Sequence, residues 1–372
     1  MPDASPGKWH LAHTAWFFET VVLLPHQASY AAFDPHFAYL FNSYYEALGS
    51  RHPRPERGLL TRPSLQSVHA YRLHVDSAMH RFIERADPPA WEAAVPLITL
   101  GLQHEQQHQE LILTDALHLL WCNPLLPAYR RSAEPALRLA ARVPPLRFVE
   151  RAGGVVEVGH DGDGFAFDNE TPRHRALLGA HAIADRLVTC GEFAQFVADD
   201  GYRRPELWLS DGWAAVQSGR WQSPAYWIAP NDPRAPCEHW QVFGLQGMHA
   251  LDSAAPVCQI SFYEAAAYAE WAGARLPTEF EWEAADDAGG LTQMTGQVWQ
   301  WTRSSYDPYP GFKPLAGAVS EYNGKFMVGQ IVLRGSSLAT ASGHARRSYR
   351  NFFPPAARWQ FSGLRLAKDL GC

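Results

Sequence analysis

The sequence predicts an α + (α+β) protein, a helical bundle followed by an irregular α+β domain. Three observations predict it. Apolar residues recur at helical spacing through about the first 125 residues. A proline-rich stretch from Asn123 to Pro145 then has little apolar periodicity and reads as a linker. Beyond it, short β-branched and aromatic runs alternate with glycines and many tryptophans. The expected division is a helical domain at 1–125, a linker at 126–145 and the α+β domain at 146–372.

Each helix of the first part can be read from its spacing and its punctuation. Trp9, His13, Trp16, Phe17, Thr20 and Leu24 share one face of a helix that Pro25 should stop. Ser64 can cap a second helix carrying Leu65, Val68, Tyr71, Val75, Met79 and Phe82, closed by Pro88-Pro89. A third runs from about Trp91 to Trp121, with Leu97, Gly101, His104, His108, Leu111 and Asp115 on one stripe. A four-helix bundle needs one more helix, and none is available before Lys8.

In the second part, Gly154–Gly159, Val298–Thr302 and Gln330–Arg334 read as strands. Capping boxes announce three short helices: Thr189 with Glu192, Ser261 with Glu264, and Thr278 with Glu281. Gly201 and Gly273 lie where the first two should end.

Composition narrows the function classes. With 47% hydrophobic and only 19% charged residues, the chain reads as globular rather than disordered. A net charge of -6 gives no electrostatic reason to expect nucleic acid. No run of about 18 apolar residues predicts a membrane span, and no signal-peptide pattern opens the chain. Five scattered cysteines without CxxC spacing argue for reduced thiols in the cytoplasm.

The sharpest chemical signal is His104-Glu105-Gln106-Gln107-His108. Histidines at i and i+4 project from one helix face, which is how a helix offers two imidazoles to one metal. They lie on the inward stripe, whereas Glu105 points away. Buried imidazoles need either hydrogen bonds or a metal. The alternative is therefore a pair of hydrogen-bonded core histidines. His13, on the inward face of another helix beside Trp9 and Trp16, can supply a third ligand. The five residues also match the zinc-protease pattern H-E-x-x-H. In its extended form the next positions would be glycine and histidine, but they hold Leu111 and Thr114, and Glu134 lies in the linker.

Several longer strings resemble a known family. Ser5 to His13 (SPGKWHLAH), Phe41 to Glu46 (FNSYYE) and His104 to Glu110 are similar to the sulfoxide synthases of ergothioneine biosynthesis. Ala274 to Glu283 (ARLPTEFEWE), Val298 to Thr302 (VWQWT) and Phe361 to Leu366 (FSGLRL) resemble the formylglycine-generating-enzyme-like fold. The resemblance implies a DinB-like helical bundle followed by a C-type-lectin-like domain, with the active site between them. It implies an enzyme that uses iron(II) and O2 to join the imidazole of hercynine (N-α-trimethylhistidine) to a cysteine-type thiol.

It carries iron ligation to His13, His104 and His108. A three-histidine site with open positions suits binding of both thiolate and O2. Tyr44 and Tyr45 sit where one subgroup, which accepts free cysteine, places its catalytic tyrosines. Arg54 and Arg57 are expected to clamp the thiol substrate's carboxylate, and Gln107 to contact hercynine. Asn351, Phe352 and Phe353 fall at the hercynine pocket, where aromatic faces suit a quaternary ammonium.

Two departures stand out. Members that use γ-glutamylcysteine carry an acidic residue and a nearby arginine where this chain has Phe353 and Ala357, so L-cysteine is the expected thiol. Family members also begin earlier with a helix that completes the bundle. Met1 resembles an internal methionine of that pattern, so the first helix is expected to be missing. The rival readings are a selenium-using relative, a zinc hydrolase and a non-catalytic lectin-like binding protein. Formylglycine generation itself relies on cysteines and copper, and no cysteine pair here matches those.

Overall fold

The computed structural model describes residues 4–132, 143–287, 289–320 and 322–371. Helix α1 (Gly7–Phe17) passes directly into a π-helical stretch, Phe18–Leu23, and then into α2 (Leu24–His26). The helix ends at His26, one residue beyond Pro25, close to the stop the sequence predicts. The wider π turn before Pro25 relieves the clash of the proline ring with the carbonyl four residues back. The π stretch also turns Glu19 inward. Its carboxylate accepts from the Tyr30 hydroxyl at 2.6 Å, the Tyr71 hydroxyl at 2.7 Å and the Phe33 amide at 3.0 Å.

A short helix, α3 (Phe37–Leu40), and two 3-10 turns fill the excursion before α4 (Leu65–Arg85). Ser64 caps α4 as expected, its hydroxyl accepting from the Ser67 amide at 3.1 Å. Val68, Tyr71, Val75, Met79 and Phe82 form its buried face. The proline pair does not close α4, which ends at Arg85. Pro88 and Pro89 instead open α5 (Pro88–Trp121), where an absent N–H costs nothing. Pro96 consequently lies inside an unbroken helix. Gly101 marks a close approach, since a Cβ there would lie 2.7 Å from the Phe18 ring.

The α+β part begins with strands β1 (Phe148–Arg151), β2 (Gly154–Val158), β3 (His174–Leu178) and β4 (His181–Ala184). Helices α6 (Cys190–Ala198) and α7 (Ser210–Gly219) follow, then β5 (Trp227–Ile228), β6 (Gln241–Gly244) and β7 (Gly247–Ala250). After α8 (Phe262–Trp271) and α9 (Glu279–Asp287) come β8 (Trp299–Ser305), β9 (Ile331–Arg334), β10 (Asn351–Phe353), β11 (Ser362–Leu364) and β12 (Ala367–Asp369). The largest sheet has the order β10-β9-β8-β11, with β11 parallel to β8 and the other pairs antiparallel. A second sheet, β1-β4-β12, pins the C-terminal strand against β4.

All three capping boxes form. Gly273 ends α8 with φ +61°, but after α6 the left-handed residue is Asp200 rather than Gly201. Gly201 is needed for space, because a Cβ there would lie 2.2 Å from the Phe196 ring.

The Ala274–Glu283 string proves to be scaffold, each of its alternate acids meeting a different arginine. Glu281 takes Arg275 at 2.7 and 2.8 Å. Glu279 takes Arg350 at 2.8 and 2.9 Å, and Glu283 pairs with the fully buried Arg334. Removing one partner from such a buried pair costs about 3–5 kcal/mol, because the other charge is left uncompensated.

The chain divides into two compact units. One comprises Met1–Leu119 together with Lys313–Lys325, and the other Leu120–Phe312 with Phe326–Cys372. The helical unit is thus built from two stretches of sequence. Of the expected linker, residues 133–142, including Glu134, lie outside the described residues. Among the described residues no helix is long and apolar enough to cross a membrane.

Candidate metal centre

Three imidazoles meet inside the helical unit. His13 comes from α1, and His104 and His108 come from one face of α5. One ring nitrogen from each lies within 4.8 Å of the others. Ring centroids are 4.9 Å apart for His13–His104, 4.7 Å for His13–His108 and 4.6 Å for His104–His108. All three are buried.

Burial pushes all three pKa values down, that of His104 to about 3, so the rings are held neutral. Neutral imidazole is the ligating form.

Hydrogen bonding decides which nitrogens remain. His13 donates its Nδ1–H to the Phe41 carbonyl oxygen at 2.6 Å, and its buried Nε2 has no partner. Neither nitrogen of His104 has one. His108 Nδ1 lies 2.8 Å from His10 Nδ1. A cluster of satisfied core histidines would not leave one buried nitrogen of His13 and both of His104 orphaned, whereas a metal would satisfy one on each of those two rings. The donor set fits a metal.

The wall of the centre is aromatic and cationic. Trp9 and Trp16 both stack on His13, at 4.7 and 5.6 Å. Arg57 is 2% exposed, and its guanidinium carbon sits 3.5 Å from the Trp9 ring centroid. It donates to the hydroxyls of Ser5 and Ser43 at 3.3 Å each, and its Nε has no partner. Among the described residues no carboxylate forms an ion pair with it. Burial and then the neighbouring Arg54 and Arg51 lower its pKa to about 9. A buried guanidinium with only hydroxyl partners has donor capacity left for an anion.

Glu105 is occupied elsewhere. Its carboxylate takes Arg72 at 2.8 Å, and Arg72 also holds Thr14 at 2.7 Å and the Leu11 carbonyl at 3.2 Å. The glutamate that a zinc protease needs beside its metal is here a tie between helices.

The family model of the sulfatase-modifying factor enzyme 1-like domain matches residues 139–290 and 286–370. The hercynine oxygenase of Mycolicibacterium thermoresistibile is 30% identical, over 99% of this chain and 88% of its own length. That of Mycolicibacterium smegmatis is 32% identical, over 73% of this chain and 71% of its own. The chain belongs to the hercynine oxygenase family. The bovine formylglycine-generating enzyme is 31% identical over 38% of this chain and 39% of its own length. As a member of the hercynine oxygenases the chain is an oxidoreductase with a three-histidine metal site.

The remaining sequence candidates distribute between the units. Tyr44 is half-buried and stacks on Tyr45 at 4.6 Å, and Tyr45 packs against Trp16 at 5.5 Å. Asn42 holds their loop, bonding the Tyr45 amide and carbonyl and the Gly49 carbonyl, each at 3.0 Å. Arg54 is exposed, unlike Arg57. Gln107 accepts from the hydroxyl of Tyr322, a residue the sequence reading did not single out. The Tyr322 ring stands edge-on to His104 at 5.7 Å and to Tyr44 at 6.3 Å. Lys325 donates to the Tyr44 carbonyl. In the other unit, Asn351, Phe352 and Phe353 form β10, where Phe352 stacks on Tyr306 at 4.0 Å and Phe353 stands edge-on to Trp359 at 6.0 Å.

Proposed function

We propose that this chain is an iron(II)- and O2-dependent sulfoxide synthase that joins the imidazole carbon of hercynine to the sulfur of L-cysteine. The observation that carries the reading is the set of three buried, neutral histidines, two of them with orphaned nitrogens, in a hercynine oxygenase relative. The reaction balances without another reductant. One thiol, one imidazole C–H and one O2 give the C–S sulfoxide and one water. Sulfur and carbon together lose four electrons, and O2 gains them.

His13, His104 and His108 would hold the iron. When bound, it supplies the redox chemistry that allows O2 to react with the thiolate. The protein's own groups do the rest. Arg57, with the exposed Arg54, anchors the thiol substrate's carboxylate. The aromatic wall limits water around the reacting sulfur. A phenol has two tasks: donating a proton as oxygen is reduced, then accepting one from the imidazole carbon. Tyr44, Tyr45 and Tyr322 are the candidates, and the contacts of Tyr322 with Gln107 and His104 favour adding it to the pair.

Gln107, Asn351, Phe352 and Phe353 are proposed hercynine contacts on the family resemblance. Phe353 and the buried Ala357 offer no charge to a second carboxylate, which favours cysteine over γ-glutamylcysteine. The helical unit is read as a DinB-like bundle. The few, scattered cysteines without CxxC spacing favour a reducing compartment such as the cytoplasm. The test is to load iron(II) anaerobically, supply hercynine, O2 and either thiol, and identify products by mass spectrometry. Loss of substrate without a C–S product would sink the proposal.

A further inference from the structure

Asp115, six residues before the end of α5, points back toward the metal centre and is 3% exposed. Its Oδ2 accepts from the Ser5 amide at 2.7 Å and lies 3.1 Å from His10 Nε2. The opposite nitrogen of that ring, His10 Nδ1, lies 2.8 Å from His108 Nδ1. His10 is itself 3% exposed, so no part of this chain of groups is open to solvent exchange of partners. These contacts link a carboxylate, a non-ligating histidine and a ligating histidine in a single line.

The direction of the line follows from donor and acceptor capacity. A carboxylate accepts only, so His10 Nε2 carries the hydrogen it shares with Asp115. Two ring nitrogens 2.8 Å apart share one hydrogen, so either His10 or His108 donates. If His108 donates, its Nδ1 carries the hydrogen and its Nε2 lone pair is free for a metal. If His10 donates, the hydrogen of neutral His108 falls on Nε2 and the ring cannot ligate through it. Only the first direction is compatible with the three-histidine centre.

We propose that His10 and Asp115 are positioning residues that hold His108 in its Nδ1–H tautomer and so set the metal affinity of the site. Phe41 does the same for His13 through its carbonyl. Two of the three ligands are thereby fixed from outside, one by a backbone acceptor and one by a side-chain relay that ends on a buried carboxylate. The relay also fixes the entry to α1, since the Ser5 amide is held by the same oxygen. This inference rests on the three histidines being the metal site.

Two measurements test it. In the metal-free wild-type chain with 15N-labelled histidine, NMR should find the hydrogen of His108 on Nδ1 and that of His10 on Nε2. A His108 hydrogen on Nε2 overturns the proposal, and no variant is needed to see it. Cobalt(II) titration, followed by its visible absorption, gives the affinity. His10→Phe should weaken it roughly 10- to 100-fold, and Asp115→Leu should act in the same direction. His10→Asn, whose amide oxygen can replace Nδ1 as acceptor, should restore most of the loss. Equal cobalt affinity in wild type and His10→Phe overturns the relay alone. A wild-type chain that binds no cobalt overturns the three-histidine centre instead.

Discussion

His13 and Phe41 are joined by a hydrogen bond of 2.6 Å, from the imidazole Nδ1–H to the backbone carbonyl. It commits the other nitrogen of a fully buried ring, Nε2, to a partner that no side chain supplies. The same commitment on α5 makes the metal assignment testable ligand by ligand. His13→Ala, His104→Ala and His108→Ala should each lose most bound iron and turnover, measured by elemental analysis and product formation. Full iron binding by all three variants would defeat the assignment.

Glu105 offers a sharp separation from hydrolytic zinc chemistry. It pairs with Arg72 across a partly exposed contact, so Glu105→Ala should cost about 1 kcal/mol of stability or less. Sulfoxide formation should persist with metal content unchanged. An enzyme using this residue as its base would lose activity outright.

The motif around the histidines was legible because helical periodicity and i, i+4 spacing are local properties of α5. Tyr322 was not, since it reaches Gln107 across 215 positions and no local pattern marks it. His10 was hidden for a related reason, because its partner Asp115 is on another helix. A buried carboxylate on the inward stripe of α5 was a usable hint that some donor must face it. Pro88 misled because proline's effect depends on its place in the helix turn, and in the first turn it opens a helix rather than closing one. The acids of the Ala274–Glu283 string belong to the scaffold of this chain, and only the arginines they meet reveal that.

Arg57 should act on substrate binding more than on chemistry. Arg57→Leu removes the buried cation that contacts the Trp9 ring. It should raise KM for the thiol roughly ten- to a hundredfold, about 1.4–2.7 kcal/mol, the range of a hydrogen bond to a charged group. Arg57→Lys should recover only part of this, because an ammonium lacks the planar fork. A thiol KM unchanged in Arg57→Leu would remove the residue from the substrate site.

The three tyrosines are separated by what happens to sulfur. A thiol and O2 can yield a sulfinic acid, with both oxygens on sulfur, or the coupled sulfoxide. Tyr→Phe at the working position removes only the hydroxyl, so iron and substrates should still bind. Product should shift toward cysteine sulfinic acid while O2 consumption continues. The comparison covers Tyr44→Phe, Tyr45→Phe, the double variant and Tyr322→Phe at the same oxygen concentration. An unchanged sulfoxide fraction in all of them would exclude these phenols as the proton source.

Acid should destabilise the fold partly through His344. Burial first, and then Arg346, lower its pKa from 6.5 to about 4. Between those values the unfolded chain binds a proton that the folded chain does not, so stability falls as pH drops from 6.5 toward 4. The slope is about 1.4 kcal/mol per pH unit for one such group. His344→Gln should flatten the acid limb of thermal stability by that share and leave the limb above pH 6.5 unchanged in slope. Parallel acid limbs in the two proteins would contradict the assignment.

The most direct measurement uses isotopic oxygen. Iron-loaded protein is supplied with hercynine, L-cysteine and 18O2, and the product mass and fragments are read. The expected result is a hercynine–cysteine conjugate joined through sulfur and carrying one heavy oxygen on that sulfur. A conjugate without the label, or oxidised cysteine with hercynine untouched, would contradict a coupling reaction driven by O2 at the three-histidine centre.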